Sequence, residues 1–277
     1  MNGRVSVVAA ENEYGNVASQ IGGPFVSVSA VMRNPSTDPH TYEVSPGVAG
    51  EVSRADLIIQ NGLGYDDFMT KLEAASSKSG REVINVQHLL AVPNSQPNPH
   101  LWYSPITMPR VATALAHHLA KLRPAHASYF KARAARFVKS LKPWIHALRQ
   151  FKSIHPNIPV VTTEPVADYM LQAAGVHNLA PMAFQLDIMN GTDPAPQDVA
   201  GVSGLLKQHK AKVLVYNRQV TDALTQSFIT AARDAKVPVV GVYETMPVPG
   251  YDYQSWMQAE VSALERAVAR GASTVTL

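Results

Sequence analysis

The segment VSVVAAENEYGNVASQIGGPFVSVSAVM, residues 5–32, indicates the fold class. It begins with the apolar run Val5–Ala10, which is typical of a buried strand, and ends with Phe25–Met32, whose alternating pattern is typical of a second strand. Between them, Tyr14–Ile21 predicts a helix that a glycine pair ends. A strand, a helix and a further strand in this order predict a βαβ unit with parallel strands.

The same alternation occurs on both sides of a long helical pattern in the middle of the chain. That pattern covers residues 124–151, and Pro143 inside it is expected to kink or break the helix. We therefore expect an α/β protein of two lobes with mostly parallel sheets, joined by one long connecting helix. The expected division is residues 1–122 for the first lobe, 123–154 for the connecting helix and 155–277 for the second lobe. Further predicted strands are Asp56–Gln60, Val83–Val86, Pro159–Thr163, Val213–Tyr216 and Val237–Tyr243.

The composition excludes several classes of protein. The 277 residues contain no cysteine, so disulfides, thiolate zinc sites, iron–sulfur clusters and a cysteine nucleophile are excluded. The formal charge is +3 and no dense Lys/Arg run is present, so we expect no nucleic-acid partner. No apolar run is long enough to span a membrane. No signal peptide precedes Val5–Ala10, so the chain is expected to be either cytoplasmic or the mature form of an exported protein.

Two tripeptides present histidines in matched contexts. Each tripeptide, Asp38-Pro39-His40 and Asn98-Pro99-His100, follows a predicted strand and a loop. Proline fixes its own φ and keeps the preceding residue extended, so each histidine is held on a stiff loop. The alternative is that both are ordinary loop histidines, beside an Asp and an Asn that serve as turn or cap residues.

Two carboxylates occupy comparable positions in the second lobe. Glu164 and Glu244 each follow a predicted strand, and each precedes a proline by one to three residues. Open α/β sheets bind ligands at the carboxyl ends of their strands, so a ligand site is expected there. The alternative is a helix cap, in particular for Glu164, which directly precedes Pro165.

Together these four residues form a candidate metal site. Imidazole and carboxylate ligands suit Mn, Fe and Zn, whereas an all-oxygen set favours Mg or Ca. If a carboxylate binds through both oxygens, the coordination number rises to five or six, which suits manganese better than tetrahedral zinc.

The motifs in this order resemble those of a known family. DPHTYEVSPG at residues 38–47, NGLG at 61–64, NPHLWYSP at 98–105, VVTTEPVADYMLQAAGV at 160–176 and VPVVGVYETMP at 237–247 carry the resemblance, which covers nearly the whole chain. The chain resembles the metal-binding solute-binding proteins of ABC transporters, the cluster A-I receptors for manganese, zinc or iron.

The resemblance implies a metal ion held between the two lobes by four side chains. By motif, His40 and His100 are the ligands from the first lobe. Glu164 matches the third position, which holds His in many zinc receptors and Glu in manganese-type members. The fourth ligand of the family is an acid after the last strand, for which Glu244 is our choice and Asp252 the fallback.

The implied function is capture and delivery of the ion rather than catalysis. The resemblance implies Mn²⁺ or Zn²⁺ as transported ligand, an ABC transporter permease as partner, a monomer, and a periplasmic or otherwise extracytoplasmic location. The signal peptide is then expected to have been removed. The protein could also be tethered to the membrane through an N-terminal segment that has been removed from this sequence. The stretch between NGLG and NPH carries one histidine, where many zinc receptors carry a His-rich loop, and this favours manganese.

Two other functions fit the same residues. A metal-dependent hydrolase could use the His/Glu site to activate water, which requires an open coordination position and a nearby general base. A receptor of related architecture could instead bind a metal chelate or adhere to a partner, and a wide aromatic or basic cleft would favour the chelate.

Overall fold

The computed structural model describes residues 3–34 and 44–277. By residue contacts the chain divides into a first lobe that ends at Lys142 and a second lobe that begins at Pro143. Within the described residues each lobe contains one sheet of four parallel strands covered by helices, which confirms the expected α/β class. No described helix is both long and apolar enough to cross a membrane.

The strands and helices of the first lobe alternate along the chain. The strand order in the sheet is β2-β1-β3-β4, so the chain leaves β1 toward one edge and returns to build the other. The sheet therefore has its topological switch point between β1 and β3, where doubly wound sheets bind ligands. The elements are β1 (Val5–Glu11), α1 (Asn12–Gly22), β2 (Val26–Met32), α2 (Pro46–Arg54), β3 (Leu57–Gln60), α3 (Asp67–Ala75), β4 (Glu82–Asn85), α4 (Val86–Leu90), α5 (Thr107–Leu122) and α6 (Ala127–Ser140).

The first sheet is buried on both faces. Val8 and Ala10 of β1 pack with Ile58 of β3 against α2 and α3, where Val52 and Met69 are fully buried. Side chains alternate between the faces of a strand, so Val7 and Ala9 lie on the opposite face, and both are buried. Burial on both faces explains why β1 is a continuous apolar run rather than an alternating one.

The second lobe repeats this topology with different elements. Its strand order is β6-β5-β7-β8, so its switch point lies between β5 and β7. The elements are α7 (Lys142–Ile154), β5 (Pro159–Thr162), α8 (Asp168–Ala173), β6 (His177–Asn178), α9 (Met182–Met189), α10 (Pro196–Lys207), β7 (Val213–Asn217), α11 (Ala223–Asp234), β8 (Val239–Val242) and α12 (Tyr253–Arg270).

One core cluster of the second lobe lies between its sheet and α9, α10 and α11. Phe184 and Phe228, whose ring centroids are 5.5 Å apart in an edge-to-face arrangement, pack there with Leu214 of β7. At a separate contact, α7 meets α12 through Trp144 and Tyr253, with ring centroids 6.1 Å apart. All four aromatic rings are buried.

The predicted connecting helix is confirmed as two consecutive helices. α6 ends at Ser140, Leu141 forms a turn, and α7 begins at Lys142. Pro143 lies in the first turn of α7, where a backbone N–H has no acceptor within the helix, so the proline costs no helical hydrogen bond. The break between the two helices therefore lies next to the proline that predicts it. The division at residues 122 and 154 treats the connecting helix as a separate part and stays a prediction.

Candidate metal centre

Three polar side chains follow neighbouring strands of the second sheet at its carboxyl edge. Glu164 lies two residues after β5, Asn217 ends β7, and Glu244 lies two residues after β8. β7 pairs with both β5 and β8, so its last residue stands between the two glutamates. All three side chains are buried, and Glu164 and Glu244 are only 2% and 1% exposed.

Asn217 joins the two carboxylates directly. Its Nδ2 donates to Oε1 of Glu244 over 2.5 Å and to Oε2 of Glu164 over 3.1 Å. Two carboxylates removed from water are costly unless they are paired, hydrogen-bonded or bound to a cation. The second lobe therefore brings the two predicted carboxylate ligands together on one amide group.

Of the three candidate acids of the second lobe, only Asp252 is the N-cap of a described helix. The N-cap residue of α8 is Ala167, three residues beyond Glu164, and the helix after Glu244 begins only at Tyr253. Asp252, by contrast, is the N-cap of α12, where its Oδ1 accepts from the backbone N–H of Ser255 over 2.8 Å in a capping box. Asp252 therefore has a structural role, and this favours Glu244 as the fourth ligand.

His100 is held in a fixed orientation in the first lobe. The histidine is fully buried, and its backbone N–H donates to Oδ1 of Asn98 over 3.0 Å. The same Oδ1 lies 2.8 Å from Nδ1 of the ring. Because this oxygen accepts from a backbone donor, it is an acceptor toward the ring as well, so Nδ1 carries the proton and Nε2 presents its lone pair. A histidine that binds a metal through Nε2 is commonly held through its Nδ1–H in this way.

Aromatic rings and an asparagine surround the His100 loop. The rings of Tyr65 and Trp102 lie edge-on to the imidazole at centroid distances of 5.7 and 5.3 Å. Nδ2 of Asn61 donates to the carbonyl oxygen of Pro99 over 2.8 Å, which ties the residue after β3 to the His100 loop. The NGLG segment thus holds the NPH segment in position.

Buried acids stabilise the backbone of the NGLG segment. The carboxylate of Asp66 accepts from the backbone N–H groups of Asn61 and Gly62 over 2.6 and 2.8 Å. Burial raises the pKa of Asp66 to about 6, although these two hydrogen bonds oppose the shift. Burial, and then the negative charges of Asp66 and Glu13, raise the pKa of Glu11 well above its ordinary value. Burial and the neighbouring carboxylates therefore both favour the protonated form of Glu11.

The candidate metal ligands are only partly covered by the structure. His40 and its DPH motif lie outside the described residues. Within residues 3–34 and 44–277, no three His, Asp or Glu side chains form an arrangement that could hold a metal ion. The described chain therefore presents a pair of carboxylates in one lobe and one oriented imidazole in the other, and the four-ligand set stays a prediction.

The sequence predicts no role in metal binding for three residues of these two sites. Asn217 and Gln219 follow the predicted strand Val213–Tyr216, but an amide after a strand is also an ordinary turn residue. For Asn98 the sequence predicts only a turn or cap role. The position of Asn217 between Glu164 and Glu244, at the end of the middle predicted strand, is the signal that could have identified it.

Comparison with known proteins identifies the family. The family model described as "Zinc-uptake complex component A periplasmic" (ZnuA) matches residues 7–267. The chain is 23% identical to the manganese ABC transporter substrate-binding lipoprotein scaA of Streptococcus gordonii over 293 residues, which covers 96% of this chain and 90% of scaA. It is 25% identical to the manganese-binding lipoprotein MntA of Bacillus subtilis over 249 residues, which covers 83% of this chain and 76% of MntA.

A solved structure has the same fold. The periplasmic zinc-binding protein TroA of Treponema pallidum superimposes with a TM-score of 0.80 at 20% identity, covering 98% of this chain and 100% of TroA. Since the family model spans most of the chain, the resemblance to metal receptors of ABC transporters is confirmed. The chain belongs to the family of periplasmic component A of zinc-uptake complexes.

Proposed function

We propose that this protein captures a divalent transition-metal ion, Mn²⁺ or Zn²⁺, outside the cytoplasmic membrane and delivers it to an ABC permease. The observation that carries the proposal is the buried pair of carboxylates, Glu164 and Glu244, on the amide of Asn217. Two carboxylates neutralise the charge of a dication. An ionised carboxylate has about four lone-pair sites, so the hydrogen bond from the amide is compatible with coordination of a cation.

The proposed ligands are His40, His100, Glu164 and Glu244. Nε2 of His100 is the coordinating atom, since Nδ1 donates to Asn98. The glutamates supply the negative charge, and the neutral imidazoles complete the coordination shell without adding charge.

The location and the partner follow from the family. The family is described as periplasmic, and both scaA and MntA are named lipoproteins, in agreement with the expected extracytoplasmic location. We propose that the protein acts as a monomer, is tethered to the membrane or free outside it, and hands its ion to the permease of an ABC transporter. The family is a component of a transport system, which favours capture of an ion over the alternative of a hydrolase.

Of the two ions, we propose manganese as the one that the protein carries in the cell. A set of two imidazoles and two carboxylates supplies five donor atoms when one glutamate binds through both oxygens and six when both do, whereas zinc sites are typically four-coordinate. scaA and MntA, which carry manganese in their names, are similar to this chain over most of its length.

Calorimetry on single-ligand variants tests the proposal. The protein is stripped of metal with a chelator and titrated with Mn²⁺ and with Zn²⁺. We expect one ion per chain in the wild type and a loss of affinity of more than about 100-fold in His100→Ala, Glu164→Gln and Glu244→Gln, beyond the range for outer-shell partners. Stoichiometric tight binding in both His100→Ala and Glu164→Gln would contradict the assignment.

Asp252→Asn is the matched control for Glu244→Gln. Asparagine is as good an N-cap as aspartate, so this variant removes the negative charge and keeps the cap of α12. We expect wild-type metal affinity and an unchanged melting temperature. If Asp252→Asn lost the metal and Glu244→Gln kept it, the fourth ligand would be Asp252.

A further inference from the structure

The side-chain amide of Asn217 has a fixed orientation. Its Oδ1 accepts from the backbone N–H of Gln219 over 3.0 Å, and its own backbone N–H donates to Oγ1 of Thr163 over 3.2 Å. Because Oδ1 accepts from a backbone N–H, the NH₂ group of the same amide points to the opposite side, toward Glu164 and Glu244. The direction of the two N–H bonds is therefore set by the backbone and not by the carboxylates.

Gln219 fixes the other side of the same cluster. Its Oε1 accepts from the backbone N–H groups of Glu244 and Thr245 over 2.7 and 2.8 Å, and its Nε2 donates to Oγ1 of Thr245 over 3.2 Å. The segment after β8 is thus bound to the segment after β7 by side-chain amides. Both amides are buried, where a hydrogen bond is stronger than in water and an unmade one is costly.

We propose that Asn217 is a positioning residue of the metal centre, which sets the spacing and the rotation of the Glu164 and Glu244 carboxylates before the ion binds. This inference rests on the proposed function, because it assigns a role toward the same ion. One NH₂ group with a fixed direction holds one oxygen of each carboxylate. The carboxylates are thereby kept together in the metal-free protein, at a distance that their mutual repulsion would otherwise increase.

The hydrogen bonds from Asn217 to the two carboxylates affect the binding of Mn²⁺ and of Zn²⁺ differently. An ion with five or six ligands uses both oxygens of at least one carboxylate and requires that group to be fixed in rotation. Tetrahedral zinc uses one oxygen of each carboxylate and tolerates rotation about the last side-chain bond. Loss of these two hydrogen bonds therefore lowers the affinity for Mn²⁺ more than the affinity for Zn²⁺.

The test measures both affinities in Asn217→Ala and in a matched control. Asn178→Ala removes another amide of the second lobe, one whose Nδ2 donates to Oγ1 of Thr162 and to the carboxylate of Asp168 and whose Oδ1 accepts from a backbone N–H. We expect Asn217→Ala to lose about 10–100-fold in affinity for Mn²⁺, the range for outer-shell partners, and less for Zn²⁺. We expect Asn178→Ala to lose stability but to keep both affinities.

A second variant keeps the test valid if Asn217→Ala does not fold. Asn217→Ser retains one O–H donor, which can serve one carboxylate and not both, so its loss of affinity for Mn²⁺ is expected to be intermediate. Circular dichroism and the melting temperature of the metal-free variants show whether each is folded.

The possible outcomes separate this inference from the proposed function. Equal losses for both ions in Asn217→Ala, or wild-type affinity for both, would overturn the positioning role while the proposed function stands. An equal effect of Asn178→Ala would also overturn it, because a general loss of stability would then explain the result. If the wild-type protein bound neither ion, both the proposed function and the positioning role would be wrong.

Discussion

Asp168 shows at the scale of one residue how burial couples stability to pH. It lies in the first turn of α8, and its Oδ1 accepts from Nδ2 of Asn178 over 3.2 Å. Burial raises its pKa from 3.8 to about 6, more than this hydrogen bond lowers it. The folded chain therefore holds a proton on Asp168 at pH values where the unfolded chain has already released it.

The sign of the pH dependence follows from this difference. Between pH 4 and 6, approximately, the native state binds more protons than the unfolded state at this residue, so the free energy of unfolding falls as the pH rises. Above about pH 6 both states are ionised and the loss is complete. We expect Asp168→Asn to remove the contribution of this residue to the slope, while that of Asp66 remains, and to stabilise the protein at pH 7 by about 1–3 kcal/mol, as measured by urea unfolding across the pH range.

Asp198→Asn is the control for this prediction. Asp198 occupies the first turn of α10, so the variant removes a carboxylate from an equivalent position relative to the helix dipole. A slope between about pH 4 and 6 that persists in Asp168→Asn and equals that of Asp198→Asn would contradict the role of Asp168.

At the scale of the element, the last strand of the second sheet depends on a glycine. Gly241 of β8 donates its N–H to the carbonyl of Thr274 over 2.9 Å, so the C-terminal segment lies along this strand. A Cβ at position 241 would lie 2.2 Å from the carbonyl oxygen of Val275. That segment must move if any side chain is introduced there, because the contact is with backbone rather than with a flexible side chain.

We expect Gly241→Ala to displace the C-terminal segment from β8. The expected cost is about 1–3 kcal/mol of unfolding free energy, typical of overpacking, together with faster cleavage after Arg270 in limited proteolysis. Gly201→Ala in α10 is the matched control, since no atom beyond the adjoining backbone of its own helix lies within 4 Å of its Cβ position. That variant is expected to gain about 0.5–1 kcal/mol from helix propensity. A Gly241→Ala protein as stable as the wild type would show that the segment is not packed as described.

The sequence predicts most elements because their apolar patterns are long and have clear ends. The strands from β1 to β8 that run four residues or more were located within about two residues. β6 was missed, since two residues, His177 and Asn178, are too short to show a pattern. α9 was missed because Met182–Met189 is apolar without a polar face, which gives no helical periodicity.

At the scale of the whole molecule, the sequence predicts the positions of the candidate side chains better than the hydrogen bonds that hold them. Glu164 and Glu244 were identified because charged residues directly after buried strands are conspicuous, and the structure places both on one amide. The amide itself was not identified, because the hydrogen bond that orients Asn217 comes from a backbone group two residues later in the chain. His40 rests on its motif alone, since it lies outside the described residues.

The same ligand set makes a prediction about competition between ions in the complete protein. Affinity of nitrogen and oxygen sites for divalent metals rises from manganese to zinc in the Irving–Williams order, whatever ion the protein carries in the cell. At equal free concentrations and fixed pH we therefore expect Zn²⁺ to displace Mn²⁺ from the wild-type protein, as measured by elemental analysis after equilibrium dialysis.

A cell that loads this protein with manganese must then do so through the supply of free ions, so protein purified from a manganese-rich, zinc-poor culture is expected to carry manganese. Retention of Mn²⁺ against equimolar Zn²⁺ at equilibrium would contradict this reasoning and would show that the geometry of the four ligands, with the Glu164 and Glu244 carboxylates fixed by Asn217, excludes tetrahedral coordination.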